Sequence, residues 1–206
     1  MEPEKFLTAS PGRMAEALHR LTDEAAVAVD GIAPEGLARL TCEAEGLEYR
    51  TARPVIGEGP DAVYQDFDLT LDFPAAGGFH RLTAAVETLL NDALAQMDRL
   101  PLAPPIGLND LILQRYPPGS AGITPHRDHV RYTGLIVIAV LAGNARFGVC
   151  DDRQGANPRI VGAPPGSLLL MRAPGFAGHR DRPFHFLNAV TGLRYSFGMR
   201  HDSRKG

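Results

Sequence analysis

One imidazole and one carboxylate two residues apart, His126 and Asp128 in Pro125-His-Arg-Asp, are the residues of this chain whose types and spacing most directly suggest chemistry. In a β-strand, side chains alternate between faces, so these two share a face while Arg127 points the other way. Both can then reach one metal ion. A second histidine from a distant strand would complete the two-histidine, one-carboxylate set that holds iron(II) and leaves positions open for cosubstrate and oxygen. Taken alone, His-x-Asp also describes an ordinary surface pair beside a turn. A second polar face lies in Arg194-Tyr-Ser-Phe-Gly-Met-Arg200, where period two puts Arg194, Ser196 and Arg200 on one side and Tyr195, Phe197 and Met199 on the other. An arginine facing a barrel interior is costly unless it meets an anion. A dicarboxylate whose far carboxylate takes a bidentate guanidinium contact would satisfy it. Gln114 and Tyr116 share a face of their own segment and could donate hydrogen bonds to the same ligand, although an inward tyrosine also reads as plain core.

Elements able to position these residues are visible in the patterning. Ser10-Pro11 caps an Ala/Leu/Glu/Arg-rich stretch that predicts a helix over residues 14–29, and a shorter helix is expected over 34–45. Over 63–73, Phe67, Leu69, Leu71 and Phe73 alternate with Asp66, Asp68, Thr70 and Asp72, the pattern of a strand with one wet face. Leu82, Val86, Leu89, Ala93 and Met97 then recur at helical spacing, predicting an amphipathic helix that ends near Leu100, before the prolines of 101–105. Beyond that the chain reads as β: strands are expected over 108–116, 134–141, 167–171, 184–190 and 193–200, with turns at Pro117-Pro118-Gly119, Pro164-Pro165-Gly166 and Thr191-Gly192. The unbroken apolar run 134–141 belongs in the middle of a sheet covered on both faces. Short strands without intervening helices point to a sandwich or barrel rather than a doubly wound fold.

Together these motifs resemble the AlkB-like branch of the iron(II)/2-oxoglutarate oxygenases. Leu113-Gln-Arg-Tyr-Pro-Pro-Gly-Ser, His126-Arg-Asp, Pro165-Gly-Ser-Leu-Leu-Leu-Met and Arg194-Tyr-Ser-Phe-Gly-Met-Arg200 arrive in the family's order over roughly the C-terminal half. The resemblance implies an α+β, mainly β fold: a double-stranded β-helix (jelly-roll) core over 106–201, preceded by a helical support or lid region over 1–105, in a single domain. It implies Fe(II), 2-oxoglutarate and O2 as cofactor and cosubstrates. Tyr116 and Arg194 would bind 2-oxoglutarate, Ser196 and Arg200 would line its pocket, and Gln114 would stand where the family often has asparagine. Both His179 and His185 lie between the Gly166 turn and Arg194. Spacing from that turn in some family members favours His179. His185 is the expected third ligand, because His-Phe-Leu-Asn-Ala-Val alternates as the family's ligand strand does and runs through Thr191-Gly192 into the Arg194 strand, with which it should form a hairpin. His179 remains the alternative, in a loop-like stretch, and His129 falls on the face opposite His126. The implied reaction is oxidative decarboxylation of 2-oxoglutarate coupled to hydroxylation of a substrate C–H bond, a product that can break down as a demethylation. It needs no general base beyond the metal ligands.

The substrate is less legible. AlkB repair enzymes carry an acidic residue two positions after the ligand aspartate, where it contacts the damaged base; Val130 occupies that position, which weighs against nucleobase repair. Cut after Ile112, the chain has 8 basic and 19 acidic residues in its first part and 13 basic and 5 acidic in its second. The C-terminal part therefore offers a positive field to an anionic ligand, unless the two parts neutralise each other across a shared core. Tyr49, Tyr64 and Phe79 could stack on bases, or simply fill the core. Three readings follow: an oxygenase of alkylated nucleic acid, an oxygenase of a protein side chain or small metabolite, and a jelly-roll binding module without turnover. A basic groove leading to the metal would favour the first and a closed apolar pocket the second. The chain's 206 residues and 44% hydrophobic content suit one filled core. No apolar run is long enough for a bilayer and the stretch MEPEKFLTAS lacks a leader pattern, so a cytoplasmic protein without membrane attachment is expected. Cys42 and Cys150, with no Cys-x-x-Cys spacing, read as buried thiols.

Overall fold

The computed structural model describes residues 6–205; residues 1–5 of the N-terminal stretch read above, and Gly206, lie outside them. Helix α1 (Pro11–Arg20) starts on Ser10, whose Oγ accepts the Arg13 N–H at 3.3 Å, with Pro11 in the first turn. The helix expected over 14–29 stops there. Its last third is instead strand β1 (Ala26–Asp30), because Val27 and Val29 find an open sheet edge, and pairing overrides the helical leaning of the alanines. Helix α2 (Pro34–Glu45) has the expected bounds. Strands β2 (Arg50–Thr51) and β3 (Val55–Ile56) follow. The strand expected over 63–73 is two, β4 (Val63–Asp66) and β5 (Asp68–Thr70), parted at buried Phe67 and belonging to different sheets. Helix α3 (Gly78–Leu94) buries Leu82, Val86, Leu89 and Ala93 as its periodicity requires, and ends short of Leu100.

Eight further strands complete the chain: β6 (Asp110–Tyr116), β7 (Gly122–His126), β8 (Tyr132–Ala142), β9 (Arg146–Cys150), β10 (Arg159–Val161), β11 (Ser167–Arg172), β12 (Phe184–Asn188) and β13 (Arg194–Asp202). They form two antiparallel sheets, a major one in the order β1-β11-β8-β13-β6-β5-β2 and a minor one in the order β10-β9-β12-β7-β4-β3. The architecture is α+β, mainly β, a two-sheet jelly roll. The region 1–105 does more than provide helical support, since β1, β2 and β5 extend the major sheet and β3 and β4 the minor one.

Alternation along the strands sorts the core into layers. Leu113, Val137, Ala139, Leu168, Leu170, Tyr195, Phe197 and Met199 face the helices and pack with Met14, Leu18, Leu40 and Phe79. Rings cross that layer at Phe79–Phe197, 4.8 Å between centroids. The opposite face of the same sheet, through Ile136, Leu169 and Met171, meets Phe147 and Val149 of the minor sheet. Strand β8 is therefore covered on both faces, as its unbroken apolar run requires, and each fully buried Leu, Ile or Val contributes roughly 1.5–3 kcal/mol by leaving water.

Two further expectations are corrected. Strands β12 and β13 do not form a hairpin: β12 pairs with β7 and β9, and β13 with β6 and β8, so the chain crosses between sheets at 189–193. Neighbouring loops hold that crossing, through Thr191 N–H to Asn144 O at 3.1 Å and Gly119 N–H to Val190 O at 3.0 Å. Cys42 is exposed, on the wet side of α2 while Leu40 and Ala44 take the buried side; Cys150 is buried as expected.

Candidate metal centre and anion pocket

On the minor sheet, β7 and β12 set His126 directly opposite His185, with ring centroids 4.2 Å apart. Each ring is fixed by a backbone carbonyl two residues earlier: His126 Nδ1 lies 2.9 Å from Thr124 O and His185 Nδ1 lies 3.2 Å from Pro183 O. An Nδ1–H donated to a carbonyl leaves Nε2 as the free nitrogen, the usual way a protein orients a metal-binding imidazole. Asp128 lies just past the end of β7 rather than within it, yet its Oδ2 is 3.6 Å from His185 Nε2. One donor atom from each of His126, Asp128 and His185 lies within 4.8 Å of the others. Burial, and secondarily the neighbouring His185, pull His126 down to about 4 against the opposing pull of Asp128, so its imidazole is neutral at pH 7, the form that ligates. Two imidazoles and one carboxylate are the donor set that suits iron(II).

Across the interior, the major sheet presents the second polar face. In the β13–β6 ladder Arg194 lies opposite Tyr116 and Ser196 opposite Gln114. Arg194 is only 2% exposed; its Nε donates to Ser196 Oγ and its Nη1 to Gly143 O, both at 3.2 Å. Among the described residues it has no carboxylate partner. Burial lowers its pKa, opposed by Tyr116, and burial raises the Tyr116 phenol well above its ordinary value, so the phenol stays a neutral donor. A buried guanidinium held by neutral acceptors alone is an expensive arrangement unless an anion completes it. One cavity joins the two polar faces: His126, Asp128 and His185 line one side, Gln114, Tyr116, Arg194 and Ser196 the other, where Ile136, Ile138 and Val140 of the neighbouring β8 add an apolar stretch.

Arg200 also lines this cavity, but its charge is already matched. Its Nη2 lies 2.5 Å from Asp110 Oδ2, which shares its carboxylate with Lys205 Nζ at 2.6 Å, and its guanidinium stacks 4.2 Å above the Tyr132 ring. Cross-chain neutralisation is real elsewhere too, in Arg115–Asp68 at 2.8 Å and Arg153–Asp61 at 3.4 Å; Arg194 stands outside it. His179 is held away from the cluster, its Nε2 2.9 Å from Thr22 O and its Nδ1 3.5 Å from Asp181 Oδ1. His129 is exposed and accepts the Arg131 N–H. Of the possible stacking groups, Phe79 is core, Tyr49 packs under Arg115 with 4.1 Å from guanidinium to ring, and Tyr64 is 59% exposed. Sequence reasoning missed Arg182, whose Nη1 donates to the Asp128 carbonyl at 2.8 Å. No spacing rule links a loop arginine to a backbone oxygen 54 residues away.

No protein-family model and no curated protein matches the chain. Solved structures do. A prolyl hydroxylase in complex with a hypoxia inducible factor oxygen degradation domain peptide fragment, from Trichoplax adhaerens, superposes with a TM-score of 0.66 at 12% identity, over 94% of this chain and 91% of that one. A 2OG-Fe(II) oxygenase family oxidoreductase from Burkholderia pseudomallei gives 0.60 at 14% identity, over 92% and 93%. OsALKBH1 gives 0.59 at 15% identity, over 86% and 98%. The chain therefore has the jelly-roll fold of the 2OG-Fe(II) oxygenases, with an AlkB-type structure among its neighbours.

Proposed function

We propose that this protein is an AlkB-like iron(II)- and 2-oxoglutarate-dependent dioxygenase that hydroxylates or oxidatively demethylates its substrate. One observation carries the reading: a His126–Asp128–His185 donor set shares a cavity with a buried arginine that has no carboxylate partner among the described residues. His126 and His185 would hold the metal through Nε2 and Asp128 through its carboxylate, leaving the remaining positions to the cosubstrate and oxygen. When bound, iron(II) and 2-oxoglutarate would bring O2 to reaction, one oxygen atom entering succinate as carbon dioxide is lost and the other entering the substrate as a hydroxyl in place of C–H. Arg194 meets the far carboxylate of 2-oxoglutarate and Ser196 keeps its guanidinium in place. Tyr116, neutral and buried, donates its phenolic hydrogen to the same ligand, with Gln114 beside it. Ile136, Ile138 and Val140 keep water from the reacting centre. Arg200 lines the pocket without adding a free charge.

A second reading concerns the substrate. Val130 is 61% exposed two residues past Asp128. An apolar side chain there favours a protein side chain or small metabolite over an alkylated nucleobase. Both thiols are free, and among the described residues no helix is long and apolar enough to cross a membrane, which suits a cytoplasmic setting.

Succinate formation tests the reading. Anaerobically iron-loaded protein given 2-oxoglutarate and then oxygen should release succinate slowly even without substrate. His126→Ala and His185→Ala should abolish this release, and His179→Ala should keep it. A wild-type protein that binds neither iron nor 2-oxoglutarate would reduce the reading to a jelly-roll binding module.

A further inference from the structure

Asp128 occupies a place that the strand ladder does not set. Strand β7 ends at His126, and residues 127–129 continue without strand pairing. Its backbone is tied instead by Arg182, which reaches from the segment before β12 to donate Nη1 to the Asp128 carbonyl at 2.8 Å, in partly buried surroundings. Most arginines nearby are engaged by carboxylates: Arg172 by Asp181, Arg131 by Asp202, Arg153 by Asp61. Arg182 has no carboxylate partner among the described residues, so its guanidinium is directed to one neutral backbone acceptor. The next residue, Pro183, supplies the carbonyl that orients the His185 ring at 3.2 Å. Proline fixes its own φ, so Arg182 and Pro183 form a short, stiff span that touches two of the three donors at once. The Arg182 and Asp128 segments also meet in a small crevice with His129, Met171 and Arg172.

We propose that Arg182 is a positioning residue for the metal centre: it fixes Asp128 against His185 so that both donors meet one ion. This rests on the iron reading above. Groups that orient ligands from behind cost about 10–100-fold in metal affinity when removed, and the same loss is expected here.

The test uses Co(II), an oxygen-stable probe for iron(II), titrated into the whole protein by calorimetry and visible absorption, with melting of the metal-free protein alongside. Arg182→Ala should weaken Co(II) binding about 10–100-fold and alter its absorption bands, while the metal-free melting point stays close to wild type. Arg182→Lys, which keeps a cationic donor, should recover part of the affinity. If Arg182→Ala lowers the metal-free melting point, Arg182→Lys and Arg182→Gln are compared at equal stability; a deficit in Gln that is smaller in Lys supports positioning. Wild-type affinity and spectrum in Arg182→Ala, measured where His126→Ala loses Co(II), would overturn the proposal and leave the metal reading intact. Failure of the wild type itself to bind Co(II) or iron(II) would remove the metal reading, and this inference with it.

Discussion

The two halves of the site are built differently. On the major sheet, Arg194 and Tyr116 face each other at the ends of β13 and β6, with Ser196 and Gln114 paired two residues further in, and the β13–β6 register runs unbroken from Arg194 to Arg200, although the pairing of β13 with β8 shifts between Tyr195 and Ser196. On the minor sheet, His126 is the last residue of its strand, Asp128 lies beyond it, and His185 is the second residue of a short strand whose pairing with β7 shifts between His185 and Leu187. The anion pocket is held by one unbroken register of two strands, whereas the metal donors are held by a shifted register, two backbone carbonyls and one arginine. A ladder fixes side chains to a common face at little local cost. Strand ends allow three donors from two segments to converge on a point, which alternation along one strand cannot do.

That contrast can be broken from either side. The largest effect is expected from Arg194→Met, which removes the charge facing the cosubstrate: 2-oxoglutarate binding should weaken by about 2–5 kcal/mol, read by calorimetry. The metal-free protein should melt no lower, because a buried unmatched charge has gone. Gly122→Ala attacks the other half. Gly122 opens β7 at φ 79, and a methyl there runs into the Leu187 carbonyl of β12. Forcing those strands apart should cost about 3 kcal/mol in denaturant unfolding and weaken metal binding while Arg194 keeps its place. The third prediction concerns pH. Burial holds His126 at about 4 against an ordinary 6.5, so below pH 6.5 the unfolded chain takes up a proton that the folded chain refuses. The His126 contribution to the stability of the metal-free protein should be lost as pH drops from about 6.5 to about 4, and His126→Asn should remove that component of the slope, while the carboxylates held low by their arginine and lysine partners go on lowering stability at more acid pH. The smallest effect is expected from Tyr116→Phe, which deletes one neutral donor from an intact ladder: about 1 kcal/mol of 2-oxoglutarate affinity, with metal affinity unchanged.

How legible each half was in the sequence follows the same division. Period two along 194–200 and 114–116 placed Arg194, Ser196, Gln114 and Tyr116 on faces that do line the cavity, since one uninterrupted strand obeys one simple rule. The residues His126 and Asp128 were found by spacing, although the reason offered, a shared strand face, holds only up to His126. The case for His185 joins alternation along its own strand to a hairpin with β13, and the hairpin does not exist. The inward face of His185 survives because alternation depends on the strand itself, not on its partner. The β1 strand was hidden in an alanine-rich stretch because propensity is local while a sheet edge is not. The break at Phe67 was equally hidden, since alternating apolar residues look alike whether they serve one sheet or two.

The edge position of β1 bears on how the molecule comes into being. Val27 lies against Leu170 and Ala26 against Met171, so a strand made early has to wait for a partner far along the chain. Such distant pairing makes assembly slow, because much chain entropy is lost before the contact repays it. A chain cut before residue 106 would leave the β11 edge bare and uncover the apolar face that α1 and α3 protect, inviting sheet-to-sheet association. The first hundred residues thus act as an inbuilt guard of the strands that follow.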